Sequence, residues 1–287
     1  MAAIFKRETK AYYTGMIGYV TAAVSLFFLG LYFANRNLMY ASSDFASVLY
    51  TTTMILLFLL PAISMRSFAE ERRNKTDQLL LTSPVGIPSI VLGKFLAEFV
   101  VFAAPMVVAV FMPLILLVFG SVSLVSAYSA LFAYLLLGGA CLAIGTWISA
   151  LTENQIIAYL ASFGVLLVSY LMNGIQTMFT SGSVLALIVF LVVLLIASVL
   201  VGVVCKSLTT GCAVFCVGGV LLGVLFVLRP TWLLAAFDSV LAALALFEPF
   251  NGVVGGMFSI SAIVYYLSVI ALFLFLTGQA LERRRWN

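Results

Sequence analysis

A chain of 287 residues that is 64% hydrophobic and only 8% charged, with a mean hydropathy of +1.24, cannot clothe itself in a water-facing surface. Soluble domains carry about 25% charged residues, so lipid is the solvent for most of this chain and a water-soluble enzyme is excluded. The net charge of +4 comes without a single histidine, which removes the commonest general base and metal ligand.

A bilayer core about 30 Å thick takes roughly 20 apolar residues in a helix. In chain order such runs fall near 16–34, 48–65, 95–119, 127–150, 156–173, 184–204, 210–228 and 259–281. The predicted fold class is all-α: a polytopic transmembrane helical bundle of about eight spans. The first run follows a basic stretch, Lys6-Arg7-Glu8-Thr9-Lys10, as a secretory signal would. It is too long for a signal core and no small-residue cleavage site follows it, so it is read as a retained span. Pro61, Pro105 and Pro113 are expected to kink spans 2 and 3.

Lysine and arginine placement orients the spans. With eight spans and an N-terminus inside, Lys6, Arg7, Lys10, Arg66, Arg72, Arg73, Lys75, Lys94, Lys206, Arg283, Arg284 and Arg285 all fall inside. Those are 12 of the 14 basic residues, and Arg36 and Arg229 are the two outside. Both termini are therefore expected in the cytoplasm.

Residues 231–247 are apolar and nearly long enough to cross. A crossing there would expel the arginines at 283–285 and place Asp238 mid-span, at a cost of a few kcal/mol. The following Glu248-Pro249-Phe250-Asn251-Gly252 is expected to break any helix. Residues 231–258 are thus read as a re-entrant outer hairpin, whose loop backbone needs protein cover.

The informative polar segment is the loop at about 66–93. Ser67 and Glu70 have the spacing of a capping box, predicting a helix from Phe68 that Pro84 closes. At 100° per residue Phe68, Ala69, Arg72, Thr76, Leu79 and Leu80 share one side, with Glu70, Glu71, Asp77 and Gln78 on the other. Among the remaining groups, Glu98 four residues after Lys94 is expected to form an interfacial ion pair with it. Cys212, Cys216, Gly219 and Gly223 form a small-residue stripe that suits close packing of span 7. No metal site is expected. Gly86 to Gly93-Lys94 has six residues between its glycines and Phe95 after the lysine, so it is not a P-loop. Thr51, Thr52 and Thr53 in span 2, with Asn154, Gln155 and Asn173 bounding span 5, are candidate pathway groups. Asp238 and Glu248 in the outer hairpin join them.

The run Leu60-Pro61-Ala62-Ile63-Ser64-Met65-Arg66-Ser67-Phe68-Ala69-Glu70-Glu71-Arg72, continuing through Lys75-Thr76-Asp77-Gln78-Leu79-Leu80-Leu81-Thr82-Ser83-Pro84-Val85, resembles the first cytoplasmic loop of ABC-2-type permeases. It is most similar to the gliding-motility (GldF-like) and copper-processing (NosY-like) branch. The opening Ile4-Phe5-Lys6-Arg7-Glu8-Thr9-Lys10-Ala11-Tyr12-Tyr13 with Gly18-Tyr19-Val20 resembles the same branch. So does the close, Phe247-Glu248-Pro249-Phe250-Asn251-Gly252, then Tyr265-Tyr266-Leu267-Ser268 and Leu281-Glu282-Arg283-Arg284-Arg285-Trp286.

The resemblance implies a single transmembrane domain over 1–287, the permease subunit of an ATP-driven exporter in the bacterial plasma membrane. Its loop helix would seat on a separate cytoplasmic ABC ATPase, through Phe68, Glu70, Glu71, Arg72, Arg73, Thr76, Asp77 and Leu80, with Leu80 or Phe68 as buried anchor. The implied partners are two ATPase copies, a second permease subunit, identical or related, and an auxiliary membrane protein with an extracytoplasmic domain. No cofactor is bound by this chain; ATP and Mg2+ belong to the partner ATPase, and no nucleic acid is involved. The resemblance also implies an interfacial N-terminal helix over 1–15 and the re-entrant hairpin. Typical members have six spans, so the pair at 184–228 is a surplus. The alternative function is a stand-alone secondary transporter or channel, which should carry paired intramembrane charges or broken helices in matching halves. An intramembrane enzyme would need a catalytic cluster inside a span, and none is evident. A mostly apolar interior suits lipid-like, glycan-linked or hydrophobic peptide cargo better than a small ion.

Overall fold

Ala2 opens the first helix, α1 (Ala2–Thr14), in a computed structural model that describes residues 1–76, 85–119, 122–179, 235, 239, 241–255 and 259–285. Among these residues all regular structure is helical. Six helices are long and apolar enough to cross a membrane: Ile17–Met39, Ala46–Arg73, Ile87–Val118, Leu124–Leu151, Gln155–Met172 and Ile260–Arg284. They correspond to the expected spans 1–5 and 8. The expected spans 6 and 7, with the cysteine stripe, lie outside the described residues. The chain is a multi-pass helical membrane protein, dividing into two compact units, Met1–Val168 with Phe247–Asn287, and Ser169–Leu246.

The first unit begins with α1, which turns into α2 (Ile17–Phe33) through Met16, whose φ is 61°. Gly15 beside it has the Arg66 guanidinium where a Cβ would stand, so a side chain there would have to push that flexible group aside. The helix winds on as a π-turn, Ala34–Met39. Next come α3 (Ala46–Ser64) and the single turn α4 (Ala69–Arg73). α5 (Ile87–Ala109) and α6 (Met112–Phe119) are halves of one span, interrupted just ahead of Pro113, which has no N–H to continue the ladder. Then follow α7 (Leu124–Leu151), α8 (Gln155–Phe179), α9 (Glu248–Val254) and α10 (Ile260–Arg285).

Three local expectations are corrected. Glu248-Pro249-Phe250-Asn251-Gly252 starts a helix instead of breaking one, because Pro249 occupies the first turn, where no amide bond is lost. Pro88 does the same for α5, whose N-cap is Gly86. Lys94 therefore lies two turns inside a helix, not at a loop's end. The loop helix itself stops at Arg73; Lys75 has φ 56°, and its amide closes onto the Arg72 carbonyl at 3.0 Å.

α7 is the hub of this unit: 78% of its most apolar 18-residue window is buried, and α3, α5, α9 and α10 all lie against it. Between lipid-embedded helices there is no hydrophobic driving force, so association rests on close packing and hydrogen bonds. Glycines on α7 supply the close packing. The Phe102 ring of α5 lies on Gly138, Ile270 of α10 reaches Gly139, and the Ser64 hydroxyl of α3 fills the Cβ position of Gly145. Aromatic pairs add to the contacts of α7, half-buried Trp147 to Phe273 of α10 at 5.5 Å and buried Tyr134 to Phe250 of α9 at 5.9 Å. In the second unit the Ser169 hydroxyl donates to the Leu244 carbonyl at 2.6 Å and accepts from the Leu246 amide at 2.9 Å.

Gly145→Val is expected to lower the thermal unfolding midpoint in detergent, an overpacking penalty of about 1–3 kcal/mol. Gly278→Ala, whose new Cβ meets open space, should leave it unchanged or slightly higher. Equal losses for both would refute the close α3–α7 approach.

Candidate functional site

The polar groups gather where α1, α4, α5 and α7 meet. α1 is amphipathic: Ile4, Phe5, Glu8 and Tyr12 are wholly or partly covered, while Lys6, Arg7 and Lys10 are exposed. Gly93 of α5 lets it come close, with Ile4 Cγ2 only 3.2 Å from the position a Cβ would take. The Tyr12 hydroxyl donates to the Ile63 carbonyl at 2.9 Å, and burial pushes its phenol well above the ordinary value, so it stays a neutral donor.

Lys94 is the centre of the cluster. Its side chain is 1% exposed, and Nζ lies 3.0 Å from Glu71 Oε1 and 3.6 Å from Glu8 Oε1. It donates to the Ser67 carbonyl at 2.7 Å and sits 5.0 Å from the Phe68 ring centroid, a cation–π distance. Arg7 closes the cluster from outside, Nη2 reaching Glu8 at 2.6 Å and Glu71 at 2.8 Å. Two cations thus balance two carboxylates drawn from three elements. The expected Lys94–Glu98 pair is not what forms: Lys94 turns to Glu71 and Glu8, and Glu98 accepts from Thr146 of α7 at 2.8 Å.

The capping box is also overridden. The N-cap of α4 is Phe68, with no cap from its own side chain, and Glu70 pairs with Arg66 instead. The cap comes from another helix. Ser149 Oγ of α7 accepts from the Phe68 and Ala69 amides, each at 3.1 Å, and donates to the Met65 carbonyl at 3.2 Å. Arg72 Nη1 donates to the Thr152 carbonyl at 3.1 Å. Beneath them Phe68, Ile87, Ile90, Val91, Ala150 and Leu281 form one apolar cluster.

The loop candidates therefore divide. Phe68 and Arg72 are buried within the chain, at 3% and 7% exposure, and Glu71 faces Lys94. Glu70 is half-buried, whereas Arg73 and Thr76 are exposed. Asp77 and Leu80 lie outside the described residues. A cleft of about 610 Å³ opens beside the cluster, walled by Arg7, Glu8, Arg66, Glu70, Asn74 and Thr76 among others.

Among the described pathway candidates, the threonines of α3 lie apart from Asn154 and Gln155. Thr52 and Thr53 are buried and donate to carbonyls of their own helix, Leu49 at 2.7 Å and Tyr50 at 2.6 Å. Thr51 accepts from Arg36 Nη1 at 3.0 Å. Asn154 accepts from the Ile156 amide at 2.9 Å, starting α8 beside half-buried Gln155, at the end of the bundle where Arg72 meets Thr152. At 1.5 Å per residue along α3, the threonines lie about 20 Å from that end. Glu248 begins α9, and its Oε2 is buried without a hydrogen-bond partner. The Asn173 side chain and Asp238 fall outside the described residues. Sequence reasoning missed Ser149, Thr152, Arg7 and Glu8. A serine among apolar helix residues gives no signal, but inward-facing Glu8 on a basic helix does.

Residues 30–183 match the family model described as ABC-2 family transporter protein. The chain belongs to the ABC-2 transporter family. No curated protein matches it. Members of this family are the membrane components of ABC transporters, distinct from the ATPase, and generally work with a cytoplasmic ABC ATPase. In this ABC-2 protein the matched stretch carries α3, α4, α5 and α7, hence Glu71, Lys94 and Ser149; Arg7 and Glu8 precede it.

Removing one partner of a buried ion pair leaves the other charge uncompensated, at about 3–5 kcal/mol. Lys94→Met and Glu71→Gln should each destabilise this ABC-2 protein. The double variant should lose less than their sum, with a coupling of about 1–3 kcal/mol in a double-mutant cycle read by thermal unfolding. Strict additivity would mean the pair does not interact.

Proposed function

We propose that this chain is the permease subunit of an ATP-driven exporter in a bacterial plasma membrane, with both termini cytoplasmic and the α1–α4 end facing the ATPase. The observation that carries the reading is the family match, which spans the charged segment after α3. The subunit pairs with a second permease, identical or related, and two copies of a separate ATPase that bind the ATP and Mg2+. Within the family, its kinship is with the gliding-motility (GldF-like) and NosY-like branch, including an auxiliary partner with an extracytoplasmic domain.

The physical support is how the segment is held. Ser149, Lys94 and Arg72 fasten α4 to α7, α5 and the α7–α8 turn, while Arg73, Asn74, Lys75 and Thr76 remain exposed. Movement of a bound ATPase would be passed into three helices at once. In this reading Arg73, Thr76, Asp77 and Leu80 with Glu70 make the contact. Phe68, Glu71 and Arg72 transmit it.

The test is co-purification of the detergent-solubilised chain, expressed with its native neighbours, against Arg73→Glu and Leu80→Asp. Wild type should retain an ABC ATPase and the variants should lose at least about tenfold of it, the effect of roughly 1.4 kcal/mol at an interface hot spot. Retention by both variants moves the contact elsewhere, and no ATPase with wild type in mild detergent sinks the permease reading.

A further inference from the structure

Beside the cluster, on the other face of α4, a second cleft of about 740 Å³ opens between the ends of α7 and α10. Its walls include Arg72, Leu151, Gln279, Glu282, Arg283 and Arg284. Among the described residues Arg72, Arg283 and Arg284 line it together with Glu282; Arg72 also donates to the Thr152 carbonyl, and Glu153 stands 3.9 Å from Arg284 as a weak, exposed counter-charge. The cleft shares Gln279 and Glu282 with an apolar groove of about 230 Å³ between α5 and α10. Val91, Leu92, Leu274, Phe275 and Gly278 line that groove. Gly278 adds no side chain and has open space above it, and Phe275 is 63% exposed.

We propose that cleft and groove together bind one anionic phospholipid. The order of chemistry along α10 argues for a lipid over a soluble phosphate. The apolar run of α10 gives way to Gln279, Glu282 and the arginines at the helix end, the order of residues that suits headgroup depth. Gly278 and Leu274 lie one to three turns deeper, about 8–15 Å along the axis, where acyl chains begin. Basic pockets between helices at the membrane surface take such headgroups. Arg72 makes the site more than a patch of annular contact, because it belongs to α4. A phosphate between Arg72 and Arg283–Arg284 braces α4 against α10, so the lipid stabilises the segment assigned above to ATPase contact. The functional consequence rests on that assignment; the binding does not.

The test uses the full chain in mild detergent, titrated with phosphatidylglycerol or phosphatidylcholine, with lipid retention read by native mass spectrometry and the unfolding midpoint alongside. Phosphatidylglycerol should be retained and raise the midpoint; phosphatidylcholine should do neither. The double variant R283Q/R284Q should weaken phosphatidylglycerol binding roughly thirtyfold, at about 1 kcal/mol per basic residue. Gly278→Phe fills the groove and leaves every arginine, and it should weaken binding as well. Lys6→Gln with Lys10→Gln, basic residues elsewhere on α1, should not. Equal retention of the two lipids, an equal loss in the α1 double variant, or displacement by soluble glycerol phosphate each overturns the site. An alkaline phosphatase fusion after residue 287 that is active outside the cytoplasm would overturn the proposed orientation while leaving the lipid titration intact.

Discussion

An ammonium group at 1% exposure is costly in a low-dielectric interior, several kcal/mol even after the surroundings relax, unless well-placed acceptors surround it. Lys94 has three: carboxylates from α1 and α4, and the Ser67 carbonyl just before α4. Each comes from an element that by itself is short or peripheral. α4 is one helical turn, and α1 is a half-exposed helix outside the spans. Neither would hold a fixed place on propensity alone, since isolated helices of such length are marginal in water. The lysine makes their positions interdependent, and Arg7 balances the second carboxylate so that the cluster carries no net charge.

Small residues continue what the charges begin. With lipid on the outside, helices gain nothing from burying leucine against leucine, so contact distance decides which faces meet. Gly138, Gly139 and Gly145 admit Phe102, Ile270 and Ser64 onto α7. Ser149, one turn beyond Gly145, lies on the same side of the helix and reaches the backbone just past α3. A single face of α7 thus receives α3 by close approach and caps α4 by hydrogen bonding. The geometry of α4 is accordingly set by α7 more than by its own sequence.

That explains which features were legible in the sequence. The spans were readable because a bilayer imposes one length on any apolar run, and all six described spans fall where hydropathy places them. The 100° step put Phe68, Ala69 and Arg72 on one side, and that side is buried, but Thr76, assigned to the same side, is exposed because the helix stops at Arg73. Helix ends were less legible. Pro249 read as a breaker although it sits in a first turn, where proline is harmless. The capping box at Ser67 and Glu70 failed because Ser149 of α7 took the amides, while the nearby Arg66, four residues away, took the Glu70 carboxylate. Lys94 and Glu98, four apart, looked like a pair, but a lysine with two carboxylates and a carbonyl within reach has no need of a third acid. Long-range competition of this kind leaves no local signature.

The same competition alters what a charged residue in this segment signifies. Charge on a loop between spans invites the reading that every such residue faces a partner. Here the charges sort by direction: Glu71 and Arg72 face the bundle, Arg73 and Lys75 face away. A segment that passes force between a soluble subunit and membrane helices needs both sets, because a contact surface on an unanchored loop would move without moving the helices. On the proposed function, then, substitutions of the inward set should loosen the link between ATP hydrolysis and transport even where the ATPase stays bound. Substitutions of the outward set should release the ATPase while the bundle keeps its stability. The two classes are separable by experiment because Lys94, Ser149 and the Thr152 carbonyl hold one set and leave the other exposed.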